Sequence, residues 1–219
     1  GLPFTAKLST MPDEHMGEAS TWEHAEAQLK AALGHAGMSY TINEKDGAFY
    51  GPKIDFDVTD AIGRKWQCAT IQLDYMQPEN FDLKYTGADN TEHRPVVIHR
   101  AIFGRCERFI AILIEHYAGA FPMWLAPVQV TVLPIADRHT AYAQGVQGRL
   151  ADTGFRAQVD ERQEKIGYKI REAQLQKIPY MLVVGDREAA EGAVAVRSRS
   201  GGDLGSQALD AFIASGRRE

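Results

Sequence analysis

The sequence predicts two architectures in series, an α+β segment built on antiparallel strands followed by a mixed α/β segment. Three observations carry this. Between residues 39 and 75 apolar side chains recur at every second position, Ile54, Phe56 and Val58 alternating with Asp55, Asp57 and Thr59. That is the pattern of a half-buried antiparallel strand. Beyond residue 127 continuous apolar runs alternate with helical stretches, the grammar of a largely parallel sheet covered by helices. Between the two, Phe121-Pro-Met-Trp-Leu-Ala-Pro127 closes off a long helix with two prolines. The domain boundary is placed there, giving segments 1–126 and 127–219.

Taken in order, residues 1–10 alternate like an interior strand, with no starting Met and no flexible lead-in. Ser20-Thr-Trp-Glu23 reads as a capping box, in which serine and glutamate satisfy each other's free amides. It opens a helix with Ala25, Leu29 and Ala32-Leu33 on one face, stopped by Gly34. The strand at 54–59 turns through Asp60-Ala-Ile-Gly-Arg64 into a second strand over 65–75. Trp66, Cys68, Thr70 and Gln72 share one face of that strand, and Gln67, Ala69 and Ile71 the other. Buried polar groups without partners cost roughly 1–3 kcal/mol, so these glutamines and the threonine either face solvent or line a pocket. Gly47-Ala-Phe-Tyr-Gly-Pro-Lys53 is a turn delivering a lysine to the head of the first strand.

Residues 96–98 form a short strand that runs into the long helix. Phe109 to Ile114 are six apolar residues in a row, which predicts a helix buried on every side. Its first half nevertheless gathers Arg100, Arg105 and Arg108 beside Glu107. A helix N-terminus disfavours cations by a few tenths to about 1 kcal/mol each. Either an anion joins the arginines or local carboxylates pair with them. In the second segment strands are expected at 128–133, 155–159, 180–184 and 193–199, and helices at 138–152, 164–177 and 206–214.

A chain of 219 residues has room for one large domain or two of about 100 residues. With 44% hydrophobic and 24% charged residues it has the composition of a soluble globular protein. The net charge of −5 argues against a generally basic nucleic-acid binder while leaving room for a local basic patch. Cys68 and Cys106 stand far apart, which points to a reducing compartment and no disulfide framework. No apolar run approaches the roughly 18 residues that span a bilayer, and no signal peptide opens the chain. A cytoplasmic protein with no membrane partner is expected.

One polar cluster, Asp160-Glu-Arg-Gln-Glu-Lys-Ile-Gly-Tyr-Lys-Ile-Arg171, follows a strand's carboxyl end and enters a helix, where ligands of open α/β sheets bind. With Glu188 and Arg197 it has the chemistry to read a single-stranded RNA loop. The alternative is a solvated helix face laced by i,i+4 pairs such as Glu161–Lys165. On one helix Gln163 would lie about 80° from Arg171 and Lys165 about 120°. The three converge only if Gln163 belongs to the preceding loop.

Gly47-Ala-Phe-Tyr-Gly-Pro-Lys-Ile-Asp-Phe56, Trp66-Gln-Cys-Ala-Thr-Ile-Gln-Leu-Asp74 and His99-Arg-Ala-Ile-Phe-Gly-Arg-Cys-Glu-Arg108 resemble, in order and spacing, the bacterial threonyl-tRNA synthetase family. So do Trp124-Leu-Ala-Pro-Val-Gln-Val130, Glu164-Lys-Ile-Gly-Tyr-Lys-Ile-Arg171 and Pro179-Tyr-Met-Leu-Val-Val-Gly-Asp186. The resemblance covers essentially the whole chain. It implies part of a class II antiparallel catalytic sheet followed by an anticodon-binding domain, acting in the ATP- and magnesium-dependent attachment of threonine to its tRNA. Arg108 then matches the arginine that stacks on adenine, and Lys53, Gln67 and Thr70 match the rest of the ATP and adenylate pocket. Tyr50, Cys68 and Gln72 match the threonine pocket, and His99 one of three zinc ligands. Gln163, Lys165, Arg171, Glu188 and Arg197 match positions that contact the anticodon, Gln163 standing where the family usually has asparagine. A homodimer is implied for the full-length protein.

The resemblance also implies that the chain begins after the first two class II motifs. It would then lack the arginine for the ATP α-phosphate and two zinc ligands. Weak zinc binding, and no threonine activation by this chain alone, are therefore expected, and no catalytic residue is assigned. Ala69, Arg105 and Cys106 depart from the family's usual Gly, Ser and larger apolar residue. Those departures leave a second function class open, a free-standing paralogue that binds tRNA or a partner without catalysis.

Overall fold

The computed structural model describes residues 2–216 and divides into two compact units, Gly1–His116 and Tyr117–Glu219. Gly1, at the head of the expected first strand, lies outside the described residues.

The first unit is built on β1 (Phe4–Ser9), α1 (Ala19–His35), β2 (Tyr40–Asn43), β3 (Lys53–Thr59) and β4 (Lys65–Asp74). There follow α2 (Met76–Asn80), a small hairpin of β5 (Tyr85–Thr86) and β6 (Glu92–His93), then β7 (Val97–Ala101) and α3 (Cys106–Tyr117). Its main sheet runs β2-β1-β3-β4-β7. Only the β1–β2 pair is parallel, as a connection through α1 requires, and the other pairs are antiparallel. Alternation along the strands gives the sheet one apolar face, where Ala6, Leu8, Ile54 and Leu73 pack against Ala25, Leu29 and Leu33 of α1. Its other face carries the polar members of the alternation.

Four local expectations are corrected here. Ser20 lies inside α1, whose N-cap is Glu18 in extended backbone with no side-chain cap bond. The helix runs past Gly34 to His35 with Ala36 as C-cap, and Gly37 beyond it, at a φ of +61°, lets the Met38 amide reach back to the Leu33 carbonyl at 3.0 Å, a Schellman closure. Among the described residues of α3 only Ile112 is buried, while Ile110 and Ile114 are 53% and 47% exposed. The apolar run therefore has one packed side, because no second described layer wraps it. Finally, a β-bulge between Phe56 and Asp57 in the β3–β4 ladder brings Gln67 round to the face of Thr70 and Gln72. Strict alternation would have put it on the opposite one.

The second unit contains β8 (Val130–Pro134), a short 3-10 turn at Asp137–His139, α4 (Thr140–Asp152), β9 (Ala157–Val159) and α5 (Ile166–Leu175). It continues with β10 (Tyr180–Val184), α6 (Asp186–Glu191), β11 (Ala193–Ser198), β12 (Gly202–Ala208) and α7 (Leu209–Gly216). The sheet order is β12-β11-β10-β8-β9. β8 is parallel to both β9 and β10, and the β10–β11 and β11–β12 pairs are antiparallel. The sheet is mixed rather than largely parallel, because β11 returns antiparallel to β10 and residues 202–208 add a further antiparallel strand where a helix from 206 was expected. Val130, Val132, Leu182, Val184, Val194 and Val196 face α4 and α7 on one side. Leu133 and Met181 face Ala173 of α5 on the other. Strands covered on both faces read as unbroken apolar runs, which is why β8 and β10 were legible.

Candidate functional site

In the first unit the polar face of the sheet collects most of the expected pocket residues. Register places Lys53 opposite Gln72 and Asp55 opposite Thr70, while Gln72 lies opposite His99 and Thr70 opposite Ala101. Lys53, Gln72 and His99 therefore form one row across three strands. Tyr50 donates its hydroxyl to Gln72 Oε1 and sets its ring edge-on to His99, with centroids 5.9 Å apart. The turn carrying Tyr50 must contain Gly51, since a Cβ there would sit 1.8 Å from the Leu73 carbonyl oxygen.

Asp55 is 3% exposed and lies beneath this row. Its Oδ2 accepts from Lys53 Nζ at 2.9 Å and Ser9 Oγ at 3.0 Å, and its Oδ1 from Gln67 Nε2 at 2.6 Å. Lys53 also meets Asp46 at 3.3 Å. Burial pulls the Lys53 ammonium down, but the bonds and charges of Asp55 and Asp46 outweigh it and hold the pKa above its usual value. The Thr70 hydroxyl is buried with no partner among the described residues. An unmet buried polar atom costs free energy, and a ligand group bonding to Thr70 would relieve that cost.

Arg108 donates from Nη1 to the Gln67 carbonyl at 3.1 Å, and its guanidinium carbon lies 5.7 Å from the centre of the Trp66 ring. Arg64 contacts the same ring at 5.3 Å. The indole N–H is anchored at 2.8 Å on Asp60 Oδ2. Cys68 is buried, and burial pushes its thiol pKa up. Arg100 sits opposite Ile71, on the face opposite to His99, and Arg105 precedes α3.

His99 Nε2 meets Asp74 Oδ2 at 2.8 Å. The other oxygen of this buried aspartate accepts the Met76 and Gln77 amides at 2.9 and 3.0 Å. Zinc takes three or four protein ligands. Among the described residues no group of three His, Cys, Asp or Glu side chains is arranged to hold a metal ion. The described residues do not by themselves fit a complete zinc site.

In the second unit α5 begins at Ile166, so Gln163 belongs to the loop before it and Lys165 is the N-cap residue. Convergence with Arg171 is therefore geometrically open. The loop is tied down residue by residue. Gln163 Nε2 donates to Asp137 Oδ2 at 3.2 Å, and Arg162 forks onto Asp160 at 2.9 and 2.7 Å. Glu161 accepts from Gln144 Nε2 at 2.7 Å, a partner other than the expected Lys165, and residues 161–165 are exposed. Buried Lys169 donates to the carbonyls of Pro134 and Asp160 at 3.1 and 3.0 Å, pinning the ends of β8 and β9. Glu188 Oε2 accepts the Gly185 amide at 3.1 Å. Arg197, opposite Met181, shares the α5 face of the sheet; its Nη1 meets Asp203 at 2.9 Å and its buried Nε has no partner.

Asp55, Asp74 and Lys169 were absent from the sequence-derived site. Asp55 and Asp57 looked like the solvated half of an alternation, yet both are buried. The available signal was the lysine two residues before Asp55, since residues i and i+2 share a strand face.

Comparison with known proteins follows the division between units. Residues 12–117 match the tRNA synthetase class II core domain (G, H, P, S and T), and residues 129–215 the anticodon binding domain. The chain is 60% identical over 219 residues to a threonine–tRNA ligase of Symbiobacterium thermophilum, covering 100% of this chain and 34% of that protein. It is 58% identical over 214 residues to the same ligase of Clostridium tetani, covering 98% and 34%. The chain thus spans about a third of the length of the curated relatives it matches. Among solved structures, the RNA binding domain of threonyl-tRNA synthetase from Cryptosporidium parvum superposes with a TM-score of 0.92 at 42% identity, covering 100% of this chain and 55% of that one. A putative threonyl-tRNA synthetase from Aeropyrum pernix gives 0.69 at 26%, covering 99% and 56%.

Proposed function

The chain belongs to the class II tRNA synthetase family, and from that premise we propose that it supplies part of the aminoacylation site and the anticodon-reading domain of a threonine–tRNA ligase. The class II part is taken as residues 1–126 and the anticodon-binding part as 127–219. The whole enzyme would join the threonine carboxylate to the α-phosphate of ATP, releasing pyrophosphate, and pass the threonyl group to tRNA, releasing AMP, in the cytoplasm and as a homodimer. The observation that carries the reading is the row of Lys53, Gln72 and His99 above the unpartnered Thr70 hydroxyl.

In this reading Arg108 lays its planar guanidinium on the adenine, as arginine's flat, permanently charged group allows. Lys53 offers an N–H to an anionic oxygen, while Gln67 and Thr70 meet polar atoms of the adenylate. Tyr50, Cys68 and Gln72 shape the threonine side of the pocket. His99 would lend one nitrogen to zinc, the other ligands coming from outside this chain. Magnesium would accompany ATP, and no step is assigned to either metal. Gln163, Lys165, Arg171, Glu188 and Arg197 would contact the anticodon, Glu188 accepting from a base and Arg197 donating.

The test is titration of tRNA with a threonine anticodon against tRNA with an altered anticodon loop, at fixed salt because phosphate contacts are salt-dependent. Preference for the threonine anticodon is expected. Arg171→Ala should weaken binding by about 1–3 kcal/mol if its contact is bidentate to a base. Equal binding of both tRNAs, unmoved by that substitution, sinks the assignment.

A further inference from the structure

We propose that Asp55 is the positioning residue of the pocket, fixing which end of the Gln67 amide faces the ligand and where the Lys53 ammonium stands. The inference rests on the reading of Lys53 and Gln67 as pocket residues given above.

A carboxylate flanked by a lysine only accepts hydrogen bonds. The end of the Gln67 amide 2.6 Å from Asp55 Oδ1 must therefore be the nitrogen, and the oxygen is the end left over. Gln67 thus presents an acceptor, and its ligand contact must be a donor such as a hydroxyl or an amino group. The second oxygen of Asp55 holds Lys53 Nζ at 2.9 Å, and Asp46 takes another of its N–H groups at 3.3 Å. Lys53 keeps one N–H for an anion, aimed by two fixed partners. Ser9 Oγ, 3.0 Å from the same oxygen, closes the shell from β1. One buried carboxylate so couples residues of β1, β3 and β4. Its direct cross-strand neighbour is Thr70, whose hydroxyl is unpartnered.

The polarity rule makes a specific rescue available. Exchanging the two groups, Asp55→Asn together with Gln67→Glu, puts the amide donor at position 55 and the carboxylate at 67. The bond is re-formed with an acceptor still facing outward and the net charge unchanged. Asp55→Asn alone removes the constraint, because an asparagine can donate or accept and the Gln67 amide is free to turn over. Ser9→Ala removes a partner of the same carboxylate without touching Gln67 or Lys53, and serves as the control for a merely structural role.

The experiment uses the 219-residue chain, with a non-hydrolysable threonyl sulfamoyl-adenylate as probe and thermal melts to confirm folding. Side-chain amide NMR of the unliganded chain should show one Gln67 NH2 proton shifted by its carboxylate bond, a shift lost in Asp55→Asn. Affinity for the probe should fall about tenfold or more in Asp55→Asn, the scale of a lost charged hydrogen bond. It should stay level in Ser9→Ala and return most of the way in the exchanged pair. Equal affinity in parent and Asp55→Asn, or a folded exchanged pair no better than Asp55→Asn, overturns the proposal. Should Asp55→Asn fail to fold, the exchanged pair against the parent decides on the same criterion. If the parent chain shows no probe contact at Lys53 or Gln67, the pocket reading fails instead. The Gln67 proton shift then still decides the amide orientation by itself.

Discussion

Thr70 and Arg197 each bury a polar atom that has no partner among the described residues. A hydroxyl left unmet in the interior costs roughly 1–3 kcal/mol, so Thr70→Val, which keeps the shape, should leave the unliganded chain as stable or up to about 1 kcal/mol more stable. Urea denaturation followed by Trp fluorescence checks this, and a loss of stability would mean that the hydroxyl is already satisfied. Gly104 has the opposite sensitivity. Its φ is +65°, and a Cβ would stand 2.5 Å from the Cys68 carbonyl oxygen, so Gly104→Ala should cost about 2 kcal/mol, read by the same denaturation. Asp60 shows how a single carboxylate sets a pH response. Burial alone would raise its pKa, but the Trp66 indole, the Arg64 guanidinium and the Arg64 and Ile62 amides outweigh it and hold it far below 3.8. A depressed carboxylate contributes stability that is fully present above the unfolded value of 3.8 and drains away only as pH falls through the lower folded one. Carboxyl carbon NMR should therefore find Asp60 still ionised below pH about 4, where ordinary carboxylates protonate. A midpoint at the ordinary value would refute it. The Tyr50–Gln72 contact was foreshadowed by two separate stretches whose residues match one threonine pocket. Asp74 was not, because its partner His99 lies 25 residues away and nothing local marks the pair.

At the scale of elements, α6 and α1 make opposite points about capping. Helix α6 has the returning half of a box: Glu188 accepts the Gly185 amide, glycine offering no side chain for the other half, and Gly192 closes the far end at φ +65°. Helix α1 has the S-x-x-E signature without the box, since its chain is already helical at Ser20 and the extended residue is Glu18. The signature specifies side chains, and the motif also needs extended backbone at the cap. Glu188→Gln keeps an acceptor for the amide and removes the charge. It should leave the melting temperature nearly unchanged while relaxing discrimination among anticodons. Glu188→Ala should lose about 1 kcal/mol as well as discrimination. Thermal melts set beside tRNA titrations separate the two, and equal destabilisation by both substitutions would contradict the cap. Strands β8 and β10 were legible because burial on two faces leaves no polar position to confuse the pattern. Strand β12 was not, because Gly202-Asp-Leu-Gly-Ser-Gln-Ala208 holds two glycines and no alternation, and it pairs only through β11.

On the scale of the whole molecule, each unit has its own core, one formed by α1 against its sheet and one layered on both faces of the second sheet. Separate cores unfold as separate cooperative units. Calorimetry should resolve two transitions, the later one belonging to the second unit, whose sheet is covered on both faces; a single transition with equal calorimetric and van't Hoff enthalpies would refute this. The presence of an antiparallel part and a strand-helix part was legible because the periodicity differs between them, although the compact units part at Tyr117, ahead of the proline pair. The faces of β4 were not, because alternation is counted residue by residue and the bulge opposite Phe56 and Asp57 adds one to the count. That extra residue has a consequence for lineages as well as for geometry. Losing one residue at position 68 would restore a regular ladder and leave Gln67 and Thr70 on the faces they now occupy, whereas a loss or gain elsewhere within the paired parts of β3 or β4 would turn the residues on one side of it to the other face. Length variation in β3 and β4 among descendants of this sequence should therefore be confined to the bulge.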